Sequence, residues 1–118
     1  MTIPLIYVSA PYTDADPQRI ASNVLEACAL GREILAGGHA VPLVPHIAVL
    51  PPEGSPESIW GAAMHQCLAQ LAKCDGAIFH PNWQKSKGCR VEMANALAWG
   101  IPVYLSMDEL HQGVGAMA

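Results

Sequence analysis

Apolar residues along this chain follow two rhythms. Short unbroken runs alternate with longer stretches in which apolar side chains recur every three or four positions. The run Ile3-Pro4-Leu5-Ile6-Tyr7-Val8-Ser9 predicts a strand buried on both faces, as in parallel sheets. Asp16-Pro17 then supplies an N-cap and a first helical residue. The helix predicted from there runs to about Leu35, with Ile20, Val24, Ala27, Gly31 and Ile34 as its apolar stripe and Gly37-Gly38 as its stop. Residues 40–44 predict a second strand, closed by Pro45-His46 and followed by a loop rich in proline (Pro51, Pro52, Pro56). Residues 58–73 predict the second helix, with Ile59, Ala63, Cys67 and Leu71 at periodic positions. Asp75-Gly76 turns into a third strand at 77–80. A third helix covers 91–99 and stops at Gly100, a fourth strand covers 101–105, and a helical turn fits 108–111.

Strands that alternate with helices require right-handed crossovers and a parallel sheet. The expectation is an α/β fold of flavodoxin or Rossmann type, a three-layer sandwich. Its sheet has four parallel strands, with room for a fifth, in the order 2-1-3-4, because the first strand is the most apolar and belongs in the middle. Ligands of such sheets bind at the carboxyl ends of the strands, where the connections diverge. Here that crevice lies between the first and third strands, flanked by the loops at 9–13 and 80–88.

The second of these loops carries the densest chemistry. Its sequence is Pro81-Asn82-Trp83-Gln84-Lys85-Ser86-Lys87-Gly88-Cys89-Arg90-Val91-Glu92. A polar helix start leaves backbone N–H groups unpaired and suits an anion. Ser86 is a candidate N-cap whose hydroxyl could equally bond a phosphate, and Gly88 leaves room for a ligand near the backbone. Glu92 lies about 9 Å of helix rise beyond Ser86, within reach of the same small ligand. Most helical glutamates simply face water. No Lys or Arg stands three or four residues from Glu92, however, so an intrahelical ion pair does not account for it.

Composition narrows the classes. The chain has 118 residues, enough for one domain spanning 1–118 with one core. A net charge of -4 argues against a nucleic-acid polymer or an anionic membrane as partner. No apolar run reaches spanning length and the start lacks a secretory pattern, so a cytoplasmic location is expected. Cys28, Cys67, Cys74 and Cys89 show no Cys-x-x-Cys pairing and read as small buried hydrophobes. His46, His65 and His80 lack metal spacing, so no metal and no cofactor is expected. His46 and His80 both end strands at the crevice. The absence of Gly-x-Gly-x-x-Gly, Walker and Gly-x-Ser-x-Gly patterns removes dinucleotide, ATP and serine-hydrolase readings. Tyr7, on spacing alone, is a core aromatic, and Asp75 is a turn residue at the far edge of the sheet.

Three segments together resemble a known family. Ile6-Tyr7-Val8-Ser9-Ala10-Pro11, Cys74-Asp75-Gly76-Ala77-Ile78 and Pro81-x-Trp83-x-x-Ser86-x-Gly88-x-x-x-Glu92 are similar to the nucleoside 2-deoxyribosyltransferase superfamily, including its deoxynucleoside 5'-monophosphate N-glycosidase branch. The resemblance implies Glu92 as nucleophile on the sugar anomeric carbon, with Tyr7 orienting it and a covalent glycosyl-enzyme ester as intermediate. It implies Ser86 on a 5'-phosphate, with Gly88 beside it. Ser9, Ala10, Pro11, His46 and Asn82, at the crevice, are expected around the substrate, and His46, Asn82 or a neighbouring subunit could replace the acid that the family places at Cys67. It further implies a small nucleotide or nucleoside as ligand and a homodimer that completes the site. Hydrolysis of a nucleoside 5'-monophosphate is the leading expectation. Base exchange between nucleosides is one alternative. A binding module without chemistry is another, because Cys67 stands where the family usually has an aspartate that assists the departing base.

Overall fold

The structure, a computed structural model, describes residues 2–117. Four strands form one parallel sheet: β1 (Leu5–Ser9), β2 (Val41–Leu43), β3 (Gly76–Phe79) and β4 (Val103–Tyr104). Their order is β2-β1-β3-β4, as the hydrophobic pattern predicts. In register, Tyr7 lies beside Leu43 on one side and Ala77 on the other, and Ile78 lies beside Tyr104. Five helices surround the sheet: α1 (Pro17–Gly37), α2 (Pro45–Ala48), α3 (Pro56–Leu71), α4 (Lys87–Ala98) and α5 (Met107–Met117). A short 3-10 turn, Trp83–Lys85, leads into α4.

Local chemistry sets these boundaries. The Asp16 side chain accepts a hydrogen bond from the Gln18 N–H and Pro17 opens α1, where its missing donor costs nothing. Gly38, with φ of 76°, takes the left-handed cap that ends the helix and donates its N–H to the Leu35 carbonyl. Ser55 caps α3 and Ser86 caps α4 in the same way, the latter accepting from the Cys89 N–H at 3.2 Å.

The alternation of side chains along β1 and β3 sorts the interior into two layers. Ile6, Val8 and Ile78 point to the side covered by α1 and α5, where they pack with Ala27, Ile34, Leu110 and Val114. Tyr7, Ala77 and Phe79 point to the opposite side, with Leu71 of α3 and Ala96 of α4. The result is the three-layer sandwich. It also decides which side chains can meet α4: those at positions 7 and 9 of β1, and not those at 6 and 8.

Four details depart from the sequence pattern. The helix expected at 91–99 begins a turn earlier, at Lys87, because Ser86 caps it there. β2 and β4 are shorter than the 40–44 and 101–105 runs. Pro45 and His46 do not merely close β2 but start the one-turn helix α2, with Pro45 as its first residue. The predicted helical turn at 108–111 extends through three turns as α5. It docks through Leu110 and Val114, and Gly113 admits the Tyr104 ring: a Cβ there would lie 2.3 Å from it. All four cysteines carry free thiols; Cys74 and Cys89 are buried, and Cys28 and Cys67 are half-buried. Among the described residues no helix is long and apolar enough to cross a membrane.

Candidate active site

At the carboxyl ends of β1 and β3 a cavity of about 340 Å³ opens between α2, α3, the loop after β1 and the first turns of α4. Its volume falls in the range of small-ligand sites. Most of the wall is apolar, contributed by residues such as Pro51, Pro52, Trp60 and Met64, and Glu92 is the one carboxylate among the described residues that line it.

Glu92 is 4% exposed. One carboxylate oxygen accepts from the Tyr7 hydroxyl and the other from the Ser9 hydroxyl at 2.8 Å. Both donors come from the face of β1 that looks toward α4, and both are fully buried. The carboxylate is therefore held at both ends while its remaining lone pairs stay free. Burial raises the Glu92 pKa above the usual carboxylate value, and the bonds from Tyr7 and Ser9 act against that rise. Burial, then the adjacent Glu92 charge, pushes the Tyr7 hydroxyl well above its ordinary range, so it stays a donor at any physiological pH.

Around this pair the structure sorts the sequence candidates. Ala10, His46, Ser86 and Gly88 line the cavity with Glu92. Ser9 does not: its hydroxyl is committed to the carboxylate, so it positions Glu92 instead of facing the cavity. Tyr7 likewise acts through Glu92. Pro11 contributes only its carbonyl, bonded to His46 Nε2 at 3.0 Å. Asn82 also stays out of the cavity. It opens the 3-10 turn, and its N–H donates to His80 Nδ1 at 3.0 Å. Gly88 serves packing as well as access, since a Cβ there would lie 3.3 Å from Met64 Sδ of α3. Asp75, at the opposite end of the sheet, accepts from the Leu5 N–H at 2.8 Å.

His46 sits with its ring edge on Tyr12, the centroids 5.4 Å apart. With Nε2 donating to Pro11, Nδ1 is an acceptor, and it is buried without a partner. Burial lowers the His46 pKa first of all, and the nearby His80 charge lowers it further. The ring is thus a neutral acceptor at pH 7. Cys67 lines the cavity close to Tyr7 and Glu92. Burial pushes its thiol up to about 11, so it is protonated and can donate only a weak hydrogen bond. Among the described residues no group of three His, Cys, Asp or Glu side chains is placed to hold a metal ion.

Ser86 combines two properties. As N-cap its oxygen accepts from Cys89, which leaves the hydroxyl proton free to donate into the cavity. The N–H groups of Lys87 and Gly88, in the first turn of α4, have no intrahelical acceptor. Beside them the Lys87 ammonium lies 4.2 Å from the centre of the Trp60 ring.

The sequence pattern put Tyr12 and Thr13 in a loop beside the crevice but missed the α3 side of the wall. Trp60 and Met64 carry no motif, and only the packing of α3 against α4 brings them to the carboxylate. The 51–52 segment reaches the cavity because Gln66 of α3 clasps Leu50: its side-chain amide donates to the Leu50 carbonyl and accepts from the Leu50 N–H, each at 3.0 Å. The fold and this site define a parallel α/β domain with a buried, doubly held carboxylate facing a largely apolar cleft. The chain belongs to the family described as Domain of unknown function (DUF4406), whose model matches residues 6–105. That span runs from β1 past β4 and includes Tyr7, Ser9, His46, Ser86 and Glu92. A search among curated proteins returned no match.

Proposed function

We propose that this protein hydrolyses the N-glycosidic bond of a nucleoside or deoxynucleoside 5'-monophosphate, with Glu92 as nucleophile. The observation that carries the reading is the buried Glu92 carboxylate, fixed by Tyr7 and Ser9 at the wall of the cavity. A carboxylate held in one rotamer next to a space of nucleotide size suits attack on an anomeric carbon. Ser86 and the free N–H groups of α4 stand one to two turns away, at a distance that suits the 5'-phosphate of the same molecule.

A Glu92 oxygen forms a bond to the anomeric carbon while the carbon–nitrogen bond breaks and its electron pair leaves with the base, which takes a proton from water. Water then attacks the same carbon and gives its proton to the hydroxide left by the first step, while the ester bond breaks and its pair returns to Glu92. Two inversions give retention. Tyr7 and Ser9 keep the carboxylate aimed in both steps. The exposed apolar residues Ile47, at 70% on α2, and Leu50, at 76% just after it, support the part of this reading in which two copies associate. Sedimentation analysis tests that part directly.

The experiment is incubation with a panel of ribo- and deoxynucleoside 5'-monophosphates, with free base as the readout. Release by the wild-type protein and its loss in Glu92→Gln is the expected result. Release that persists in Glu92→Gln removes Glu92 from its role. One observation favours a second reading, a nucleotide-binding module without turnover: the Cys67 thiol is too weak an acid to assist a departing base at neutral pH. In that case a monophosphate raises the melting temperature without being consumed, and Cys67→Asp gains base release.

A further inference from the structure

Charge is distributed unevenly over this acidic chain. Three of its six Lys and Arg residues, Lys85, Lys87 and Arg90, fall at the start of α4, and the first turn of that helix holds no acid. Cations at a helix N-terminus oppose the macrodipole. Two of the three have evident local roles or none in the cavity: Arg90 donates to the Gln84 carbonyl at 2.8 Å, and Lys85 lies exposed on the 3-10 turn. Lys87 is different. It sits between Ser86 and Gly88, which line the cavity, and its ammonium rests 4.2 Å from the ring of Trp60, which also lines it.

We propose that Lys87 is the residue that selects a sugar 5'-phosphate over the unphosphorylated sugar, its Nζ moving from the Trp60 ring onto the phosphate oxygens. The inference rests on the reading of the cavity given above. Its warrant is a comparison of two contacts open to one flexible side chain. A cation over an indole at a partly exposed site is worth about fivefold in an equilibrium or less. A charge-assisted hydrogen bond to a phosphate oxygen is worth about tenfold to a hundredfold. The ammonium is an unhindered point charge on a four-carbon stem, so the exchange needs rotamer changes only. Once it leaves, the Trp60 ring loses its cation and its emission reports the event.

The test uses the whole protein with 2-deoxyribose 5-phosphate and ribose 5-phosphate, each against its unphosphorylated parent, by calorimetry and tryptophan emission. These probes carry no base, so the result does not depend on which base is recognised. The expected result is tighter binding of at least one phosphate form, an affinity gap that narrows by about tenfold to a hundredfold in Lys87→Met, and an emission change that disappears in Trp60→Phe. Lys85→Met serves as a control for the general field and narrows the gap by less than about threefold. A gap unchanged in Lys87→Met overturns the proposal, as does equal narrowing in Lys85→Met or no binding of either sugar phosphate. Both substitutions lie on the exposed surface, and equal melting temperatures confirm intact folds. Binding through Lys87 without base release from any nucleotide leaves this inference standing and removes the glycosidase reading. Base release indifferent to Lys87→Met does the reverse.

Discussion

The two sides of the sheet are built from the same alternating strands and serve different ends. The side under α1 and α5 is dry: Ile6, Val8, Ile34, Ile78, Leu110 and Val114 meet as hydrocarbon. On the side under α3 and α4, the next residues along β1, Tyr7 and Ser9, are as deeply buried but spend their hydroxyls on Glu92. A single-residue shift in register would exchange the two sets and put the carboxylate against isoleucine and valine. The contrast teaches that the buried polar trio is a cost to stability that the dry side must offset.

Substitutions that separate activity from stability break this contrast most cleanly. On the proposed reading, Glu92→Gln lowers base release at least about a thousandfold while the protein stays folded, as read by activity assay alongside circular dichroism. On the dry side, Ile34→Ala or Leu110→Ala should cost about 2–5 kcal/mol in denaturant unfolding and leave KM unaltered in the fraction that folds. Tyr7→Phe sits between these cases. Loss of its bond to the carboxylate should reduce kcat by about tenfold to a hundredfold. Because that bond holds the Glu92 pKa down, the acid limb of the pH–rate profile should move to higher pH.

Stability against pH sharpens the contrast further, since the groups that titrate sit on the side that carries the cavity. Glu92, raised from 4.5, binds a proton more readily in the fold than in the unfolded chain. Its contribution to stability is therefore present below about 4.5 and is lost as pH rises through the folded pKa. His46, lowered from 6.5, acts in the other sense: its contribution is present above 6.5 and is lost as pH falls through the folded pKa. Melting temperatures across pH for wild type, Glu92→Gln and His46→Phe should show each slope disappear in its own variant. The smallest effect belongs to Ser86→Ala, about 0.5–2 kcal/mol from the lost cap. Its diagnostic signature is weaker binding of a sugar phosphate beyond what that loss of stability explains.

Much of this was legible in the sequence. The apolar first strand fixes the centre of the sheet, and the Asp16-Pro17 and Gly37-Gly38 pairs bracket α1 to within two residues. Glu92 stood out because it had no helical ion-pair partner, and Tyr7 because the resemblance drew attention to it. Other parts were illegible for physical reasons. Ser9 reads as a strand end that could touch a substrate until the pleat turns its hydroxyl toward α4 and commits it to Glu92. Asn82 reads as a ligand group until the chain folds it into a turn capped on His80. The last helix hides behind Gly113 and Gly115, which look like breakers, while Gly113 makes room for Tyr104. One side of the cavity wall comes from α3, whose residues meet β1 only through tertiary packing, and no local pattern encodes that.

The clasp of Gln66 on Leu50 has a consequence for how such a domain diversifies. One side-chain amide imitates the pairing of a neighbouring strand and anchors the chain as it leaves α2, while the Ser55 cap anchors it again where α3 begins. The few residues suspended between these two moorings form part of the cavity rim yet bear little of the architecture. Their length and character can therefore drift, reshaping what the opening admits, while the carboxylate and its two supporting hydroxyls stay where they are.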